Sequence, residues 1–142
     1  MTGVVLLWLA VVVWSVWPVS PSGYVQQAVK VAQDAGSAVG TTIITVGAEL
    51  DGRLIPTLTS TTLDDAREAA ATAAEQSLSA APPDASTAQV RAELVPLLVR
   101  ASDGITAAGS AVDAGDRIAM QTASDQLQAV QDDIDQFATD HR

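Results

Sequence analysis

Residues 25–50 read VQQAVKVAQDAGSAVGTTIITVGAEL, and the fold turns on whether residues 41–46 (TTIITV) are strand or helix. Taken alone, TTIITV is a β-branched run of the kind that forms strands, and Gly36, Gly40 and Gly47 weaken a helix around it. In its surroundings the run continues a row. Val25, Val29, Ala32, Gly36, Val39, Ile43, Val46 and Leu50 are spaced alternately four and three without a break. That is the period of one helix face, whereas a strand would send successive residues to opposite faces. The stretch is expected to be helical, with Gly40 as its weakest point.

The same period recurs downstream. Asp51-Gly52-Arg53 reads as a helix stop with glycine just past the end. It is also the one tripeptide that a partner could use as a contact point. Thr62 with Asp65 resembles a capping box, opening a helix that runs to about Ala81. Its inner face is mostly alanine: Leu63, Ala66, Ala70, Ala73 and then Ser77 or Leu78. Pro82-Pro83 stops it. Asp84 to Thr87 cap the next helix, with Ser86 and Gln89 as a second candidate capping box. Val90, Leu94, Leu97, Ala101, Ile105, Ala108 and Val112 share one face, and Pro96 inside this pattern is expected to bend the helix near Ala92. Asp113-Ala114-Gly115-Asp116 is a turn. The last helix has an unbroken seam of Met120, Ala123, Leu127, Val130, Ile134 and Phe137, with Asp125, Gln128, Asp132 and Gln136 opposite. Asp140-His141-Arg142 are expected to fray. Four helices joined by short turns imply an all-α, antiparallel up-and-down bundle over residues 25–140, preceded by a linker at 18–24. Within that linker Ser20, Pro21 and Ser22 make a good helix entry.

Upstream lies a different kind of sequence. Met1 to Trp17, MTGVVLLWLAVVVWSVW, has no charged side chain, and Lys30 is the first charge in the chain. As a helix it would be about 25 Å long, the short end of what spans a bilayer core of about 30 Å. Trp14 and Trp17 fall one turn apart near its end, where tryptophan favours the membrane–water boundary. A cleaved secretory signal would want a positive start and a small-residue cleavage site, and VWPVSPSG is a poor one. A buried core helix would need a partner apolar enough to enclose it. The expectation is an uncleaved signal-anchor, a single-pass transmembrane helix at the cell membrane with the bundle outside the cytoplasm.

Composition bounds the chemistry. The chain carries 17 acidic and 7 basic side chains, a net charge of −10, all of it after Trp17. Such a domain repels nucleic acid and anionic lipid head groups. Zero cysteines exclude disulfides and thiolate metal sites. A single lysine with much alanine, valine and threonine is the usage of a GC-rich genome, as in actinobacteria. His141 is the only histidine and lies one residue from the end, read as solvated. A His-based triad therefore has no well-placed base, and a histidine metal site has no second imidazole. The acidic clusters Asp64-Asp65-Glu68, Asp113/Asp116 and Asp132-Asp133-Asp135 lack the spacing of a calcium loop and are explained by helix caps and solvated faces. No cofactor is expected.

These readings point to a non-enzymatic, membrane-anchored helical protein, an accessory or structural subunit docking on a larger membrane complex. Its expected partners are membrane lipid, through residues 1–17, and other membrane-protein subunits. The candidate contacts are Trp8, Trp14 and Trp17 in the anchor, the small-residue row Ala32, Gly36 and Gly40, and Asp51, Gly52 and Arg53. Small-xxx-small rows bring helices close in membranes, but Lys30, Gln33, Asp34 and Glu49 favour close packing within a soluble bundle. The alternative is an exported ligand-binding or sensory domain with an apolar pocket between helices.

Overall fold

The computed structural model describes residues 20–53 and 56–142, of 56–58 the backbone only. The helices are α1 (Pro21–Leu50), α2 (Pro56–Ser79), α3 (Ala85–Ala114) and α4 (Arg117–Asp140). They run up and down as an antiparallel bundle. Ser20, Ser79, Ala85 and Asp140 lie at one end, called here the near pole. Among the described residues no helix is long and apolar enough to cross a membrane. The stretch read as an anchor, Met1 to Trp17, lies outside the described residues, as do the first two residues of the linker, 18 and 19.

α1 passes through TTIITV and Gly40 without interruption. Two features let a β-branched run be helical. The hydroxyls of Thr42 and Thr45 donate to the carbonyls of Ala38 and Thr41, at 2.9 and 2.8 Å, so both threonines are buried with their polar atoms satisfied. Beside the expected seam there is a second one. Tyr24, Ala28, Val31, Ala35, Ala38, Thr42 and Thr45, again spaced four and three, are all buried. α1 needs both stripes because it packs against all three other helices. α3 does the same, whereas α2 and α4 do not touch each other among the described residues. The cross-section is thus a rhombus, with α1 and α3 meeting across its short diagonal. Side chains there must be small, and Ala32, Ala35, Ala101 and Ala108 have essentially no exposed surface.

The ends are set by specific hydrogen bonds. The Ser20 hydroxyl accepts from the Gly23 N–H at 3.2 Å, and Pro21 occupies the first turn. The helix therefore takes in Pro21 to Tyr24 of the 18–24 segment, and Tyr24 enters the core. At its other end the Arg53 and Gly52 N–H groups donate to Ala48 and Glu49 carbonyls, both at 2.9 Å, with Gly52 at φ 68°. This is a Schellman motif, and the left-handed residue is the one that lacks a Cβ. α3 ends in the same way on Gly115 (φ 64°), where the Asp116 N–H reaches the Ala111 carbonyl at 3.0 Å. Asp116 then caps α4, its carboxylate accepting from Ile118 and Ala119 N–H.

Two expected caps are displaced. α2 begins at Pro56, six residues before Thr62, because proline's fixed φ is already helical and its missing N–H costs nothing in a first turn. Thr62 and Asp65 therefore lie within the helix. At α3 the box is Asp84 with Thr87, not Ser86 with Gln89. The Asp84 carboxylate accepts from the Thr87 N–H at 2.9 Å, and the Thr87 hydroxyl accepts from the Asp84 N–H at 3.1 Å. α3 remains one continuous helix past Pro96, whose ring is exposed.

Candidate interaction surface

With the core closed, function has to be sought in grooves and on the outer faces. Every seam residue of α4 is buried, as are Leu63, Ala66, Ala70, Ala73 and Ser77 of α2, so Ser77 rather than Leu78 faces inward. The cavity between Tyr24, Ser77, Ala80 and Leu94 has a volume of about 10 Å³, roughly the space of one water. The Ser77 hydroxyl lines it without a hydrogen-bond partner.

A groove of about 480 Å³ runs between α1 and α2, with Asp34, Asp65 and Glu68 on its rims and Ala69 and Ala73 among its lining. Lys30 neutralises Asp34 at 2.8 Å. A second groove, about 420 Å³, lies between the end of α2 and the start of α3 and is almost wholly apolar. Leu78, Pro82, Ala88, Ala92, Val95 and Pro96 line it. Val99, one turn beyond Val95, extends the stripe. Leu78 is 57% exposed and Val99 51%, unusual for aliphatic residues of this size on one face. Its one charged lining residue, Arg91, donates to the Leu78 carbonyl at 3.1 Å. The α3 positions 88, 92, 95 and 99 repeat at four and three, beside the core row 90, 94, 98, 101 and 105. The stripe was therefore present in the sequence but overshadowed by the stronger core row.

The small residues of α1 serve the bundle itself. A Cβ on Gly36 would lie 3.2 Å from Ile134 and 3.3 Å from Gln131 of α4. Gly40 also faces Gln131, and Ala32 has no exposed surface. Asp51, Gly52 and Arg53 form the exposed Schellman turn at the far pole, with Arg53 3.8 Å from Asp51. The structure thus separates the two described groups of candidate contacts, one inside and one at an end. Trp8, Trp14 and Trp17 lie outside the described residues.

His141 differs from its expectation. It does not fray into solvent. Its ring lies 4.5 Å from Phe137, and its Nε2 is 2.9 Å from a Glu93 carboxylate oxygen on α3. An ionised carboxylate only accepts, so the imidazole donates. The sequence signal was faint, since nothing local pairs residues 48 positions apart. The His141 hydrogen bond, with a second from Gln89, holds the Glu93 carboxyl below its ordinary value. The Thr87 N–H and the Ser86 hydroxyl do the same for Asp84.

Other acidic residues have structural uses. Asp64 pairs with Arg67 at 3.2 Å and Asp133 with Arg100 at 2.6 Å, while Asp116 caps α4. Among the described residues no group of three or more histidine, cysteine, aspartate or glutamate side chains could hold a metal ion. Compared with protein-family models, curated proteins and solved structures, the chain matches none.

Proposed function

We propose that the protein is a membrane-anchored, non-enzymatic helical bundle that serves as an accessory subunit of a larger membrane complex. The observation that carries this reading is the abrupt join between two chemistries. The apolar, uncharged stretch Met1 to Trp17 gives way to α1 at Pro21, whose first charged residue is Lys30. Only residues 18–20 separate an apolar stretch able to reach across a bilayer from a bundle that carries all the charge. A tether of three residues spans at most about 10 Å. The bundle would therefore be held near the membrane surface, on the non-cytoplasmic side, with its near pole toward the lipid. Its contribution is a shaped surface at a fixed address, offered to subunits in the same membrane.

The test is affinity purification of the chain, tagged at its C-terminus, from its own membranes in mild detergent. The expected result is an intact chain retained by membranes after a high-salt wash, with a stoichiometric set of membrane subunits. A chain recovered alone and lacking Met1 to Trp17 overturns the proposal.

A further inference from the structure

The last turn of α4 is held to α3 through a pair of side chains 48 positions apart in sequence. We propose that the His141–Glu93 contact is a pH-sensitive latch: with the imidazole protonated it pins the last turn of α4 against α3, and with the imidazole neutral that turn comes loose and uncovers Phe137. This goes beyond the accessory-subunit reading and does not depend on how the chain meets a membrane.

The geometry is that of a cover held by one bond. The His141 ring is tilted by 52° against the ring of Phe137, with centroids 4.5 Å apart, while its Nε2 lies 2.9 Å from Glu93 Oε2. Phe137 is the chain's only phenylalanine, the last residue of the α4 seam, and is buried. The His141 side chain keeps 21% of its surface exposed and that of Glu93 46%, so both can exchange protons with solvent. The protonated ring is favoured here twice. A charge-assisted hydrogen bond is roughly twice as strong as a neutral one. A cation at a helix C-terminus also meets the unpaired carbonyls and the negative end of the dipole, and His141 is the C-cap of α4. The neutral ring still has one N–H to donate but loses both advantages. At a helix end that suffices, because terminal turns open at little cost. Besides the latch, this turn is tied by the His141 N–H to the Phe137 carbonyl at 3.2 Å and by the Thr139 hydroxyl to the Asp135 carbonyl at 2.9 Å.

Both partners set the working range. Glu93 must be ionised. Hydrogen bonds from His141 and Gln89 hold its carboxyl below the ordinary value, so the contact survives mild acid and is lost as pH falls through that lowered value. An imidazolium is ordinarily present below about pH 6.5 and lost as pH rises through it. Histidine is the side chain that ordinarily titrates between about pH 5 and 8, and this chain has one. The charges around the latch are otherwise engaged. On α4, Asp140 accepts from Gln136 at 2.7 Å, and Asp133 pairs with Arg100 of α3 at 2.6 Å. On α1, Lys30 is paired with Asp34 at 2.8 Å. Arg142 follows in the chain and is exposed. Among the described residues α2 does not touch α4.

The test is nuclear magnetic resonance relaxation of the full ¹⁵N-labelled chain in zwitterionic detergent micelles, from about pH 5 to about pH 8.5, a range that brackets the ordinary imidazole value. On the acid side the amides of residues 138–141 are expected to have order parameters near about 0.85, as in rigid backbone, and on the alkaline side about 0.6 or less. Residues 120–134 of the same helix are expected to show no such step. Glu93→Gln and His141→Gln are conservative changes of partly exposed side chains, and the step should vanish from both. A chain whose residues 138–141 keep one order across the range overturns the proposal. So does a step that survives at full size in either variant, since another group is then responsible.

Discussion

α2 and α4 occupy equivalent places, at opposite corners of the rhombus, each packed on α1 and α3. They fill those places differently. α4 buries Met120, Leu127, Val130, Ile134 and Phe137, while α2 buries Leu63 and then Ala66, Ala70, Ala73 and Ser77. The same heptad geometry thus holds one helix with large side chains and the other with methyl groups. Apolar area sets most of the energy, so α4 is the strong edge of the bundle and α2 the weak one. Alanine earns its place by letting backbones approach closely, and the cost is a helix that detaches more easily.

The largest effect should come from the strong edge. Leu127→Ala removes a fully buried side chain and should cost about 2–5 kcal/mol, read as a lower midpoint in urea. Next comes the close approach that α4 needs. A Cβ on Gly104 would lie 2.6 Å from Leu127 Cδ2, so Gly104→Ala forces that side chain aside and should cost about 1–3 kcal/mol by the same measurement. On the weak edge, Ala70→Gly should cost only about 1 kcal/mol, chiefly backbone entropy. If it matched Leu127→Ala, the contrast between the two helices would be mistaken. Hydrogen exchange sharpens the same comparison without mutation, since α2 amides should exchange through local opening before those of α4.

The smallest effect is electrostatic. Asp84 and Glu93 have folded pKa values below their ordinary ones. Each therefore adds stability above its unfolded pKa, lost as pH falls through the folded value. The melting temperature should drop on acidification below about pH 4, the ordinary carboxylate range. It should drop less in an Asp84→Asn, Glu93→Gln double variant. An unchanged slope would show that neither hydrogen bond matters to stability.

What the sequence made legible followed periodicity. α4 and the course of α1 through TTIITV could be read because four-three spacing survives even where local propensity points to a strand. The second seam of α1 escaped because alanine and threonine do not announce burial. Val31 or Thr45 looks like surface until three neighbouring helices surround it. Caps were harder still. Thr62–Asp65 and Ser86–Gln89 are sound capping patterns, yet Pro56 and Asp84 stood earlier in the chain and began their helices first. Of the candidate surface, Asp51-Gly52-Arg53 was visible as a turn. The Leu78–Val99 groove needs two helices side by side before it exists, and the His141–Glu93 contact needs two elements far apart in sequence.

The joint at Gly115 and Asp116 has a consequence for the order of assembly. Asp116 completes the stop of α3 and supplies the start of α4, so only two residues separate the helices. The other connections, 51–55 and 80–84, are longer. Closing the shortest loop has the smallest entropic penalty, and it brings together the helices with the largest apolar side chains. The α3–α4 hairpin is therefore the natural first structure, with α1 and α2 condensing onto it. During synthesis α3 and α4 follow α1 and α2, so the bundle cannot close until that hairpin has emerged.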